Sequence, residues 1–193
     1  MILRGYVDRG TRDLDFFGLA PSDVDRLAPA AVRALREAGL DVRTVQATPG
    51  FVRLVIEGQG DRTELDLGAD ARLFPAEPGL IAPTLVGEEL AVDKVLAVSG
   101  RAEARDFVDL LAVEGRYGLP RLFELAAEKD RGFTPDTFGA MLDRFERLRR
   151  DEFDVDDRRY EDIRRSVVLW REQALELSRH RGPEADRNPG RGR

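Results

Sequence analysis

The sequence predicts an α+β fold: a small mixed or antiparallel sheet flanked by helices, followed by a helical C-terminal half. Short β-type segments separated by turn residues all lie in the first half of the chain, whereas from residue 88 onward each segment has apolar residues at helical spacing. This succession is typical of α+β proteins. We therefore predict an α/β core over 1–87, a helical subdomain over 88–180 and a disordered Gly-, Pro- and Arg-rich tail over 181–193.

The predicted elements of the first half are strands over 13–17, 42–48, 51–57 and 62–67, and a helix over 23–38. Pro49-Gly50 and the segment 58–61 are typical of turns, so the last three strands are predicted to form an antiparallel meander. The stretch 79–87 is predicted as an edge strand or an extended connector because it contains Pro83. The predicted helices of the second half cover 88–98, 102–117, 119–129, 135–149 and 157–180.

Composition restricts the chemistry that the chain can perform. Cysteine is absent and His180 is the one histidine, which excludes disulfides, thiolate zinc sites and histidine-rich metal sites. Carboxylates remain as metal ligands, and oxygen ligands favour hard cations such as Mg²⁺ or Mn²⁺.

Charge and hydropathy indicate where the protein acts. The net charge of −6 argues against a protein that coats nucleic acid generally. No run approaches the roughly 18 apolar residues of a membrane span, and residues 1–12 lack the features of a secretory signal. We therefore expect a cytoplasmic protein that does not enter a membrane. Only Lys94 and Lys129 among the 31 basic residues are lysines, which indicates positions where arginine does not suffice.

Two segments place carboxylates on predicted strands. Asp13 and Asp15 share one strand face, about 6.6 Å apart, while Leu14 and Phe16 are expected to point into the core. Asp66 lies on the polar face of the strand over 62–67. Three clustered carboxylates need a cation to offset their repulsion, and Mg²⁺ would supply it. The alternative is that both segments are simply solvent-exposed strand faces.

A third group of charged residues follows on the predicted helices, with Gly100 as a possible N-cap and Glu103 at the third helical position. Its members are Lys94, Arg101, Arg105, Asp106 and Asp109. Positive charge of this kind is what a triphosphate requires. A surface of ion pairs along the helix is the alternative, favoured for Arg101 and Glu103 more than for Lys94.

These residues resemble two motifs of the AbiEii/AbiGii-type nucleotidyltransferase toxins. Residues 9–15, RGTRDLD, resemble R-x-[ST]-x-D-[IL]-D, and residues 94–109 resemble K-x-x-A-x-x-x-R-x-x-x-R-D-x-x-D. The resemblance covers roughly residues 1–150. It implies a polymerase-β-like nucleotidyltransferase with Mg²⁺, a nucleoside triphosphate (NTP) substrate and a cognate antitoxin.

The resemblance also implies roles for individual residues. Asp13 and Asp15 match the metal carboxylates, Lys94 the phosphate-binding lysine, and Asp106 and Asp109 accessory groups; Asp66 is assigned as the third carboxylate by strand position alone. The further nucleotide-binding residues implied are Arg9, Thr11, Arg101 and Arg105. Family members carry a Gly-Gly-[ST] turn before the segment equivalent to 1–6. We therefore expect either a start codon upstream of Met1 or a phosphate cradle that lacks half of its groups.

Three functions are compatible with the sequence. The leading hypothesis is metal-dependent transfer of NMP from an NTP to a hydroxyl of tRNA or protein. The second is a degenerate nucleotidyltransferase that binds nucleotide or a partner without turnover. The third is a helical interaction protein that uses the helix over 157–180, although its apolar stripe is more typical of a core. For the first, we predict that the three carboxylates cluster at the C-terminal rim of the sheet, with the Lys94 amine reaching the Asp13 side. Lys94→Ala is then expected to reduce NTP affinity or turnover and to leave stability nearly unchanged, because a solvated lysine contributes little to folding. Lys129→Ala, on an exposed helix end, is expected to do neither.

Overall fold

A computed structural model describes residues 13–18, 20–79 and 82–180. Contacts divide these residues into two compact units, which we call the sheet unit (residues up to 72) and the helical unit (residues from 73 onward). Residues 73–79 and 82–87, predicted from the sequence to belong to the α/β core, lie in the helical unit. The predicted tail lies outside the described residues.

The sheet unit confirms the predicted α+β pattern. Its elements are β1 (Asp13–Gly18), α1 (Pro21–Glu37), β2 (Asp41–Thr48), β3 (Phe51–Gly58) and β4 (Asp61–Ala69). The strand order is β1-β4-β3-β2. β2, β3 and β4 form the predicted antiparallel meander, whereas β1 pairs with β4 in parallel, which makes the sheet mixed. The tight turn between β3 and β4 uses Gln59 and Gly60, both with positive φ.

Helix α1 covers one face of the sheet. Val24 and Ala28 of the helix are buried against apolar residues of the strands, namely Val42, Leu54, Leu65 and Leu67. The prediction that Leu14 and Phe16 point into the core is wrong, since they are 44% and 46% exposed. They lie in register with Leu65 and Leu67, on the face that α1 covers. The buried cluster under α1, however, draws its residues from α1, β2, β3 and β4, so the edge strand β1 contributes none.

The described residues of the helical unit form five α-helices. They are α2 (Gly87–Gly100), α3 (Ala104–Tyr117), α4 (Leu119–Lys129), α5 (Pro135–Met141) and α6 (Asp157–His180). The helix predicted over 135–149 ends earlier than expected: α5 stops at Met141 and the chain continues in 3-10 turns. Within the described part of 79–87 there is no strand, and the chain there is a connector fastened by one bridge between Glu77 and Thr84.

The apolar stripe of α6 is core, as its spacing indicated. Ile163, Val167, Trp170 and Ala174 are buried in the same cluster as the aromatic side chains of the neighbouring helices. Phe107 packs edge-on against Phe145 at a centroid distance of 5.3 Å. Because this face is occupied by the unit's own core, it is not a surface for a partner. No helix in the described parts of the chain is long and apolar enough to cross a membrane.

Candidate active site

The predicted carboxylates of the sheet unit share one face of the sheet. In the parallel register of β1 and β4, Asp15 lies beside Asp66, and Asp13 lies beside Glu64. Their face is opposite to the one that buries Leu65 and Leu67 beneath α1, because side chains alternate along a strand. Asp66 and Asp13 therefore share a sheet face, which a site made of the three carboxylates requires.

The position of these carboxylates along the strands differs from the prediction. Asp13 and Asp15 are the first and third residues of the six in β1, and Asp66 is the sixth of nine in β4. They therefore lie within the paired ladder, and the prediction that they occupy the C-terminal rim is wrong. The parallel register sets this position, because it places the start of β1 beside the middle of β4.

Asp66 is held by an arginine that was not among the site residues predicted from the sequence. Arg53 of β3 donates two hydrogen bonds to it, from Nε to Oδ1 at 2.7 Å and from Nη2 to Oδ2 at 2.6 Å. The hydrogen bond to Asp66 raises the pKa of Arg53, and the charges of Asp66, Glu64 and Asp15 raise it further. No group of three or more Asp, Glu or His side chains within the described segments is arranged to hold a metal ion. The metal role of Asp13, Asp15 and Asp66 stays a prediction.

Lys94 and Asp109, both selected from the sequence, meet in the helical unit. Lys94 Nζ of α2 lies 3.0 Å from Asp109 Oδ2 of α3. The Asp109 side chain is 1% exposed, whereas that of Lys94 is 21% exposed. A buried carboxylate needs a cationic or hydrogen-bonding partner. Lys94 therefore neutralises Asp109 while part of its side chain stays accessible to solvent.

Most of the other charged residues of this segment form hydrogen bonds and ion pairs at the N-terminus of helix α3. Arg101 Nε and Nη2 donate to the buried Asp106 at 2.9 and 2.8 Å, and the amide of Glu103 donates to the same carboxylate. The N-cap of α3 is Glu103, with Asp106 at the third position, so the predicted cap at Gly100 is wrong. Gly100 instead ends α2. Arg105 pairs with Glu103 at the surface, as the ion-pair alternative predicted for this stretch.

Lys129, expected on an exposed helix end, is buried. Its side chain is 3% exposed, and its Nζ donates to Glu89 Oε1 at 2.6 Å and also to Asp93. Glu89 Oε2 accepts the backbone amides of Leu73 and Phe74 at 2.9 and 3.1 Å. The two lysines of the chain therefore both neutralise carboxylates, and Lys129 is part of the helical core rather than of the surface.

The comparison with known families decides which protein family this is. A sequence model described as nucleotidyl transferase AbiEii toxin, Type IV TA (toxin–antitoxin) system, matches residues 1–176. The chain belongs to this AbiEii family. Arg9 and Thr11 fall within the matched range but outside the described residues, so their predicted nucleotide contacts stay predictions.

Other comparisons add little to the family assignment. The AbiEii chain is similar to a crystal structure from H. pylori of a protein that is itself only presumed to be a nucleotidyltransferase. That likeness has a TM-score of 0.49 and 15% identity, and it covers 91% of this chain and 85% of that chain. No curated protein is detectably similar in sequence.

Proposed function

We propose that this AbiEii-family chain transfers NMP from an NTP to a hydroxyl of tRNA or protein, in the presence of Mg²⁺ or Mn²⁺, as the toxin of a toxin–antitoxin pair. The observation that carries this proposal is the parallel register that places Asp15 beside Asp66 and keeps Asp13 on the same face. Family membership supplies the reaction class and supports a cognate antitoxin as partner.

The residues of the sheet unit would bind the cation. Asp13, Asp15 and Asp66 offer carboxylate oxygens, which is the donor chemistry that Mg²⁺ and Mn²⁺ prefer. A divalent cation bound there would stabilise negative charge on the phosphate oxygens during in-line displacement. The three carboxylates offer the donor chemistry for such a cation and share one sheet face, but in this structure they are not arranged to hold a metal ion and Asp66 is engaged by Arg53.

The helical unit would bind phosphate. Lys94 pairs with Asp109 and its side chain is 21% exposed, so its ammonium group would supply the positive charge that a triphosphate oxygen requires. Arg101 and Arg105 are about half exposed and add positive charge on the same segment. The bond that forms joins the acceptor oxygen to the α-phosphorus, and the bond that breaks releases pyrophosphate, while the proton of the hydroxyl goes to solvent or to a carboxylate of the site.

Labelled nucleotide separates transfer from binding without turnover. The purified chain is incubated with Mg²⁺ and each NTP, labelled at the α- or the γ-phosphate, together with total tRNA or a protein extract. We expect covalent label, stable on a denaturing gel, from the α-position only and in one of the two acceptors. Reversible nucleotide binding without covalent label in either acceptor would instead support the degenerate binding module.

A variant of Lys94 tests the phosphate-binding role and corrects an expectation about stability. Lys94→Met should weaken NTP binding in Mg²⁺ by about tenfold, the equivalent of about 1.4 kcal/mol. It should also lower the free energy of unfolding by about 1–3 kcal/mol, because the buried Asp109 loses a charged partner. The sequence alone had suggested little effect on stability. Titration of NTP at a temperature where the variant is folded, together with urea unfolding, measures both quantities.

The matched control for this variant is Arg121→Met. Arg121 lies in the same unit and is 52% exposed, and it pairs at the surface with Glu88 and Glu124. Neither NTP affinity nor stability should change appreciably, since exposed ion pairs contribute little. If Lys94→Met binds NTP as tightly as Arg121→Met does, Lys94 has only a structural role.

A further inference from the structure

Arg53 lies within the row of carboxylates that the proposed function assigns to the metal. It is in register with Asp66 across the β3–β4 ladder, and its Nε lies 3.8 Å from Glu64 Oε2. Since Asp15 neighbours Asp66 on the other side, the guanidinium is also attracted by the Asp15 charge. One arginine therefore faces three acidic residues of two adjacent strands.

The contact with Asp66 engages both of its oxygens. Nε and Nη2 donate in parallel to Oδ1 and Oδ2, the two-pronged geometry that makes arginine–carboxylate pairs strong and directional. The Asp66 side chain is 15% exposed, so solvent screens this pair less than it screens a surface pair. A cation that needs Asp66 must therefore compete with two charge-assisted hydrogen bonds.

We propose that Arg53 is an internal counter-ion of the carboxylate face, which holds Asp66 in the absence of metal and which a divalent cation must displace from Asp66. This inference rests on the proposed metal-dependent function and adds a regulation of the same site. Without metal, the positive charge of Arg53 offsets the mutual repulsion of the neighbouring carboxylates and so stabilises the folded sheet. It also weakens the binding of free Mg²⁺, so that the site favours a cation that arrives with the negative charge of a triphosphate.

The experiment measures Mn²⁺ affinity, by electron paramagnetic resonance of free Mn²⁺, for the full chain and three variants without nucleotide. Arg53→Gln removes both the charge and the two-pronged contact. Arg53→Lys keeps the charge but cannot donate two parallel hydrogen bonds. Arg43→Gln removes a positive charge from the same sheet face, where Arg43 pairs with Glu57 at 2.8 Å rather than with Asp66.

The expected order of Mn²⁺ affinities distinguishes displacement of Arg53 from Asp66 from a general effect of positive charge. Arg53→Gln should bind Mn²⁺ about tenfold more tightly than the unmodified chain, and Arg53→Lys should also bind more tightly, although by less. Arg43→Gln should stay within about twofold. In the absence of metal, Arg53→Gln should also melt at a lower temperature than Arg43→Gln, because the carboxylates lose their counter-ion.

Three results would overturn the inference, and they differ in what they say about the proposed function. If the unmodified chain binds Mn²⁺ and Arg53→Gln binds it equally or more weakly, Arg53 positions Asp66 for the metal or is irrelevant to it, and the proposed function stands. If neither protein binds Mn²⁺, the metal site itself is refuted, and the proposed function falls together with the inference. If Arg53→Gln and Arg43→Gln both bind Mn²⁺ more tightly than the unmodified chain and by the same factor, while the affinity of Arg53→Lys is unchanged, the positive charges weaken Mn²⁺ binding at a distance. Displacement of Arg53 from Asp66 would then play no part.

Discussion

Replacing Lys129 by methionine is expected to lower the free energy of unfolding of the helical unit by about 3–5 kcal/mol. Methionine fills nearly the same volume, so the change removes the charge and little of the packing. The fully buried Glu89 would lose its ionic partner and keep only the amides of Leu73 and Phe74 as donors. Asp93 would lose the same ammonium group. A buried carboxylate without its cation is among the few single changes with an effect of this size.

The pH dependence of that loss identifies its cause. Burial raises the pKa of Glu89, but the hydrogen bond and the charge of Lys129, with two backbone amides, outweigh burial and hold the pKa below its ordinary value of 4.5. The stability that Glu89 contributes is therefore present above pH 4.5 and is lost as the pH falls further. Without Lys129 the same group would protonate more readily. The destabilisation by Lys129→Met should accordingly be larger at pH 7 than at pH 4.

Urea unfolding followed by circular dichroism measures this prediction. Arg121→Met is the control, because it removes an exposed positive charge from the same unit and should change stability by no more than about 0.5 kcal/mol. Adding Glu89→Gln to Lys129→Met should recover part of the loss, since glutamine still accepts the two amides without carrying a charge. Equal stability of Lys129→Met and Arg121→Met at pH 7 would contradict the buried ionic cluster.

The helices and strands were predictable because their apolar residues have strong local periodicity. The strands over 42–48, 51–57 and 62–67 were each found to within two residues at either end, and the helices α4 and α6 have the predicted bounds. Alternation and the turns at Gly50 and Gly60 determine such elements from neighbouring residues alone. The region after α5 was predicted less well, because a helix and a series of 3-10 turns place apolar residues at similar intervals.

The shared sheet face of the candidate carboxylates could be predicted from the sequence, whereas the arginine that pairs with one of them was not predicted. Asp13, Asp15 and Asp66 follow from strand parity, and Lys94 and Asp109 from the motif. Arg53 was missed although a signal existed: the tight turn at Gln59-Gly60 pairs Gly58 with Asp61, and counting back along the hairpin pairs Arg53 with Asp66.

Lys129 carried no comparable local signal. Glu89 and Asp93 are one helical turn apart on α2, which indicates a shared acidic face. Their cation, however, comes from the end of α4, so only the packing of these two helices reveals the pair. The prediction that Lys129 is exposed was wrong. The local sequence does not show which end of a helix is buried by a neighbouring helix.

The largest expected effect on activity belongs to Asp13. Asp13→Asn should reduce the transfer of α-labelled nucleotide by about a thousandfold, the equivalent of about 4 kcal/mol of transition-state stabilisation. The change keeps the size of the side chain but removes one of the charges that would bind the cation. It should also abolish most of the increase in melting temperature that millimolar Mg²⁺ or Mn²⁺ produces, because a ligand stabilises only the folded form that binds it.

Glu64→Gln is the matched comparison for Asp13→Asn. Glu64 lies on the same sheet face and in register with Asp13, so both variants remove one negative charge from neighbouring positions of adjacent strands. A site that needs only a generally acidic face would lose activity and metal stabilisation equally in the two variants. A site built on the specific carboxylates of β1 and on Asp66 would tolerate Glu64→Gln with transfer within about threefold of the unmodified chain. Equal losses would therefore refute the assignment of Asp13 as a metal ligand, even if transfer itself depends on Mg²⁺.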